Sequence, residues 1–162
     1  MRGDIHVFEE HMYTESVTAV LRSALGSSSS LPQSGMPRVL LTTLPHETHL
    51  LGLLMAETML VLEGCECVSL GAQTPVAEIV HAAYAHRADI VGLSFSPAYN
   101  PQVLLRMVQE LRSRLPRSMD LWLGGSNPAL QRKLPEGTFV VNRLEDVCME
   151  LGRWQERPQG AC

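Results

Sequence analysis

The chain has 162 residues, of which 45% are hydrophobic, and carries a formal charge of -4. That length suits one globular domain with an appendage and is enough to bury a proper core. The basic residues are scattered, with at most a small cluster from Arg106 to Arg117, so no basic footprint for nucleic acid is visible. No apolar run reaches the roughly 20 residues that a membrane span needs. The start, "MRGDIHVFEEHMYTE", is charged and lacks the apolar centre of a signal peptide. The chain reads as cytoplasmic, with no membrane partner.

Residues 5–25 have helical spacing. Glu10, Tyr13, Val17, Val20 and Ala24 form one stripe of a 3.6-residue repeat, and Gly26 is placed to end the helix. A polar stretch, "GSSSSLPQSGMP" (26–37), follows as a flexible linker. A lone helix of this length is marginal in water. It must pack on the following domain, on a second copy of the chain, or on helices outside this sequence.

From Pro37 onward short apolar runs alternate with amphipathic ones. "RVLLTTL" (38–44) reads as a buried strand, and residues 49–64 as a helix closed by Gly64. "CECVSLG" (65–71) is a second strand. Residues 74–88 form a helix with Thr74 as its cap and Pro75 in its first position. "DIVGLSFS" (89–96) is a third strand, and a helix over 100–115 opens on Asn-Pro. "MDLWLGGS" (119–126) is a fourth strand, 127–134 a short helix, 137–141 a fifth strand and 144–156 a last helix; the residues beyond look frayed. The fold class is therefore α/β: a five-stranded, parallel, doubly wound sheet of Rossmann-like or flavodoxin-like type, preceded by an N-terminal helix. The boundaries are 1–36 for the helix and linker and 37–157 for the sheet domain. Four cysteines are present, Cys65, Cys67, Cys148 and Cys162, and in a reducing compartment they are thiols. The Cys65/Cys67 pair has no partner pair at zinc-ribbon spacing and reads as packing.

Ligands of such sheets bind outside the carboxyl ends of the strands. The unusual residues fall there: "PHETHLLG" after the first strand, "GAQTP" after the second, "SFSPAYNP" after the third and "GGSNP" after the fourth. His46 and His49 are three apart, so the H-E-x-x-H spacing of zinc hydrolases is missed. No G-x-S-x-G elbow, P-loop or G-x-G-x-x-G is present, which leaves hydrolase and nucleotide readings without support. What remains is Glu47-x-His49. A carboxylate near an imidazole fixes its tautomer and raises the basicity of the ligating nitrogen. Gly52 lets a bulky group approach the backbone. A solvated loop histidine beside a helix-initiating glutamate stands as the plain alternative.

Glu47-x-His49-x-x-Gly52, Ser94-x-Ser96 and Gly124-Gly125, at these separations, resemble the B12-binding domain, whose usual signature is D-x-H-x-x-G, S-x-L and G-G. "EEHMYTE" (9–15) resembles the Glu-His that covers the corrin in the light-sensing, CarH-like B12 regulators of the MerR group, which also tend to carry Glu in place of Asp. The resemblance spans roughly residues 5–155. It implies cobalamin, as adenosylcobalamin or another corrinoid, with His49 as lower axial ligand of cobalt and Glu47 holding its far nitrogen. It places the displaced tail in a slot past Gly52, Ser94, Ser96, Gly124 and Gly125, and Glu10 and His11 over the corrin. His46 is left as a solvent-facing neighbour.

The function implied is a non-catalytic cobalamin-binding sensor domain of a transcriptional regulator, with light response and self-association through the helical segment. Two alternatives stay open: a corrinoid carrier subunit of a methyltransferase or mutase, and a haem- or corrinoid-binding antirepressor. The chain departs from the family pattern in three ways. One helix stands where the family has a four-helix bundle. The shielding Trp of the light sensors, with the His near it that replaces the upper ligand lost in light, would fall before Met1. Ser96 takes the Leu place. The chain is then either a piece of a longer regulator or a short variant with a different upper face. It has no helix-turn-helix, so DNA contact would fall to a missing segment or a separate protein.

Overall fold

The structure is a computed structural model that describes residues 6–27 and 32–157. Ser28–Leu31 of the Ser-rich linker, the last five residues and Cys162 among them, and residues 1–5 lie outside the described residues. Five strands, β1 (Arg38–Thr42), β2 (Glu66–Gly71), β3 (Ile90–Phe95), β4 (Asp120–Gly125) and β5 (Thr138–Val141), form one sheet in the order β2-β1-β3-β4-β5. Every neighbouring pair is parallel. The helices are α1 (Val7–Ser27), α2 (Leu51–Leu62), α3 (Val76–Ala85), α4 (Pro101–Arg114) and α5 (Leu144–Glu156). The short helix expected over 127–134 is a 3-10 turn, Pro128–Gln131, capped by the Asn127 side chain. No described helix is long and apolar enough to cross a membrane.

The two faces of the sheet follow from the period of two along each strand. Leu40, Val91, Leu93, Leu121 and Leu123 pack under α3 and α4, with Ile79, Ala83, Leu104, Val108 and Leu111. Val39, Leu41, Ile90 and Trp122 pack under α2 and α5, with Leu53, Leu60, Val147, Leu151 and Trp154. Cys65 is buried in this second layer and Cys67 is partly buried there; both are free thiols. Burial pushes the Cys65 thiol up to about 12, which fits a packing role. The strand order reverses between β1 and β3: β1 connects to β2 on one side, and the chain then crosses to β3 on the other. The loops after β1 and β3 therefore flank a crevice at the carboxyl edge.

Local chemistry sets the helix ends. Asn100 accepts from the N–H groups of Gln102 and Val103, and Pro101 fills the first position of α4, as the sequence suggests. Thr74 does not cap α3. Pro75 is the cap residue and no side chain bonds the first turn. The Thr74 hydroxyl lies 2.7 Å from that of Thr42 instead, a tie between the ends of β1 and β2. Gly64, at φ +89, closes α2.

The stripe expected on α1 is turned. Thr14, Val17, Thr18, Leu21 and Leu25 are partly buried, while Tyr13 and Val20 are 68% and 67% exposed. At 100° per residue this face lies roughly 80° from the expected one. Leu and Ala occupy several sides of α1, so spacing alone did not choose the side that meets α2. Every residue from His6 to Tyr13 is exposed.

Gly125 has φ +106, and a Cβ there would stand 2.1 Å from the Phe95 carbonyl oxygen. Gly125→Ala should cost about 1–3 kcal/mol from the backbone strain alone, and more from the overlap. Gly152 lies within α5 with nothing within 4 Å. Gly152→Ala should stabilise by about 0.5–1 kcal/mol. Thermal unfolding of both variants checks the pair, and equal midpoints would contradict this account of β4.

Candidate corrinoid site

The loop between β1 and α2 is held from three sides. The Glu47 N–H donates to the Leu44 carbonyl at 3.0 Å, turning the chain through Pro45 and through His46 at φ 71. The Thr43 hydroxyl donates to the Glu47 carbonyl at 2.6 Å and accepts from the Gln73 N–H at 2.9 Å. The Tyr99 hydroxyl donates to the Pro45 carbonyl at 3.0 Å. The loops after β2 and β3 thus both brace this one.

The bracing turns the Glu47 carboxylate inward, where it is 1% exposed. Its Oε1 accepts from the His49 N–H at 3.0 Å and lies 2.8 Å from His49 Nδ1. Its Oε2 accepts from the Ser96 N–H and the Ser96 hydroxyl, each at 2.8 Å. Burial would raise the carboxyl's pKa. The donors from Ser96 and His49 outweigh it and hold Glu47 below the usual carboxylate range. An ionised carboxylate only accepts, so Nδ1 of His49 carries a proton, and in the neutral ring Nε2 is the nitrogen with the free lone pair. The ring's side chain is 67% exposed, so that nitrogen is accessible. Among the described residues no group of three or more His, Cys, Asp or Glu could hold a metal ion. A single imidazole of this kind suits a metal whose other positions are filled by its own macrocycle.

A cavity of about 240 Å³ opens under α2 and α5. It exists because, on the face that carries Val39, Leu41 and Trp122, Gly92 stands level with Leu41 and Trp122, and Ser94 and Gly124 follow nearer the carboxyl edge. Gly52 borders it from α2, where an added Cβ would stand 3.3 Å from the Ser94 hydroxyl oxygen. An added Cβ on Gly124 would stand 3.3 Å from the Val141 carbonyl oxygen. The donor set and this bare-backbone cradle fit a corrinoid: one open imidazole, and beside it a slot that most side chains would fill.

The structure brings Glu47, His49 and Ser96 into one hydrogen-bonded group. It places Gly52, Ser94, Gly124 and Gly125 around the slot. Ser96 is not among the slot-lining residues; it holds Glu47 instead. His46 is exposed. Glu10 and His11 are exposed on α1, and among the described residues no hydrogen bond joins them to the 44–52 loop. Sequence reading missed Gly92, Met55, Ala56, Trp122 and the segment Asn142–Leu144, all of which line the slot. The small residues at alternate positions 92 and 94 were the available signal.

The B12 binding domain family matches residues 37–151. The chain belongs to the B12-binding domain family. It is 32% identical over 124 residues to the HTH-type transcriptional repressor CarH of Myxococcus xanthus, covering 76% of this chain and 40% of that protein. It is 30% identical over 115 residues to methionine synthase of Mycobacterium tuberculosis, covering 70% of this chain and 9% of that protein. The chain thus spans less than half the length of either relative. Two solved structures share the fold. The monomethylamine corrinoid protein of Methanosarcina barkeri aligns at TM-score 0.68 and 16% identity, over 92% of this chain and 72% of that one. The methanol:cobalamin methyltransferase complex MtaBC of the same organism aligns at 0.65 and 13%, over 93% and 58%. The cofactor of this B12-binding domain is cobalamin.

Glu47→Gln keeps the side chain's size but turns an amide NH2 toward the donors of Ser96 or His49. It should destabilise the domain by about 1–3 kcal/mol. In the wild type the folded carboxyl binds its proton less readily than the unfolded one. Its stabilisation is therefore complete above the unfolded value, about 4.3, and is lost as pH falls through the lower folded value. Urea denaturation across that acid range should show a smaller pH slope in Glu47→Gln. An unchanged midpoint and slope would remove Glu47 from its central place.

Proposed function

We propose that this domain is the cobalamin-binding sensor part of a transcriptional regulator, with His49 as the lower ligand of cobalt and the corrinoid's own base displaced into the slot. The observation that carries the reading is the pairing of His49 Nδ1 with the buried Glu47 at 2.8 Å, beside an empty-walled slot of the required kind. Glu47 orients the ring and keeps its proton on Nδ1. Ser96 holds Glu47 through two donors. Gly52, Ser94, Gly124 and Gly125 leave room for the flat end of the tail. When bound, cobalamin supplies a cobalt centre whose upper ligand can be exchanged, and an alkyl group in that place makes the centre sensitive to light.

The upper face falls to α1. Arg22 and Leu25 border one hollow with Leu50 and Gly71, near the carboxyl edge, and every residue from His6 to Tyr13 is exposed. By helical spacing Glu10 and His11 lie within roughly 60° of the face that packs on α2. In this reading that face of α1 is the one turned to the corrin, with Glu10 and His11 as its cover. A change of upper ligand would then alter how α1 sits and so bias self-association or the docking of a partner. DNA contact belongs to another segment or another protein in this reading. The similarity to CarH supports the regulator.

The similarity to methionine synthase favours a second reading, a corrinoid carrier that presents the cofactor to a catalytic partner. Methyl transfer to a thiol or folate acceptor in the presence of such a partner distinguishes it. For both readings the ligand assignment is tested with hydroxocobalamin. The visible spectrum of the wild-type complex should differ from that of His49→Ala, and the variant should bind more weakly. Equal affinity with unchanged spectra would sink the assignment of His49.

A further inference from the structure

The slot has an apolar interior and a charged mouth. Val39, Leu53, Leu60 and Trp122 line its interior, and Arg143 is the one charged residue among its described lining. Arg143 stands at the N-terminus of α5, a 13-residue helix whose dipole favours an anion at that end. Its guanidinium lies 2.7 Å from Glu145 Oε2, in a pair whose side chains are 68% and 76% exposed. Such an exposed pair is worth little and exchanges easily. Trp122 also lines the slot, and its buried indole N–H has no partner among the described residues.

A corrinoid tail has the matching polarity. Its aromatic base carries a ring nitrogen that can accept a hydrogen bond. A ribose and a phosphodiester join that base to the macrocycle. With the base in the apolar interior, the anionic link belongs toward the mouth. We propose that Arg143 pairs with the tail phosphodiester and makes the slot selective for complete corrinoids over those that end before the phosphate. This rests on the cobalamin site described above. A guanidinium suits the role because it presents two parallel donors to a phosphate.

Affinities for cobalamin and for cobinamide, which lacks the phosphate and the base, are to be measured for wild type and Arg143→Gln. The variant should bind cobalamin about tenfold more weakly, with cobinamide affinity unchanged. Added salt should weaken wild-type binding of cobalamin more than that of the variant. Glu145→Gln, which frees Arg143, should bind cobalamin at least as tightly as wild type. An Arg143→Gln variant that loses nothing for cobalamin, or loses equally for both ligands, overturns the proposal while leaving the cobalamin site standing. A wild-type chain that binds neither ligand fails the underlying site, and the proposal falls with it.

Discussion

The site depends on a carboxylate taken out of water. Glu47 is buried at the point where the strand order reverses, and a buried charge is tolerated only when it is paired and hydrogen-bonded. Four donors meet that demand: two from His49 and two from Ser96. The same four bonds fix the geometry. They join the loop after β1 to the loop after β3, across the crevice where sheets of this type take their ligands. The orientation of the His49 ring is thus a by-product of satisfying Glu47. An exposed ring on an unbraced loop would have no fixed tautomer and no fixed direction.

Two departures from the family signature become one arrangement in three dimensions. Glu replaces the usual Asp at 47, and Ser replaces the usual Leu at 96. A longer side chain carries its carboxylate further from the β1 loop, and Ser96 supplies a hydroxyl where Leu would supply none. The Ser96 N–H would be present with any residue; the second donor to Oε2 comes only from the hydroxyl. The position is anchored in turn from below, since Asn127 donates to the carbonyls of Ser96 and Tyr99. A buried polar network of this kind is stable only when each member is satisfied, and here each loop supplies what its neighbour lacks.

The fold was readable because its signal is local and repeated. Gly closes β2 and β4, Asn-Pro opens α4 and the 3-10 turn, and the hydrophobic period changes from two to 3.6 between strands and helices. Glu47, His49 and Gly52 were readable because they lie within six residues of one another. The slot was only half legible. Ser94 and the Gly124-Gly125 pair stood out as motif residues, whereas Gly92 and Trp122 act through the face they occupy. Their importance appears only once the register sets Gly92 beside Trp122 and Ser94 beside Gly124. Arg143 and Asn142 come from a distant segment that β5 and α5 bring to the mouth, and nothing in their neighbourhood marks them. The face of α1 was misjudged because its burial is decided by α2, which is itself apolar on nearly every side. The Thr74 hydroxyl was misassigned because a tertiary partner, Thr42, outcompeted the local helix end.

α1 carries the remaining physical tension. Its later turns have a partner in α2, yet Val7, Phe8, Met12 and Tyr13 are all exposed in its first two turns. A helix that presents large apolar groups on several sides is a buried helix in most settings. Val7 lies on the same face as Leu21 and Leu25, with Glu10 and His11 to either side of it. That face has no sheet beneath it once the helix passes the carboxyl edge. Phe8 and Met12 point away from it and need a separate cover. The two faces therefore make different demands. Under the proposed function the inner one would take something flat and partly polar, compatible with a carboxylate and an imidazole; the outer one would take a protein surface. A corrin under the helix and another helical layer over it would meet both demands at once. α1 would then be the element through which a change at cobalt reaches the outside of the molecule.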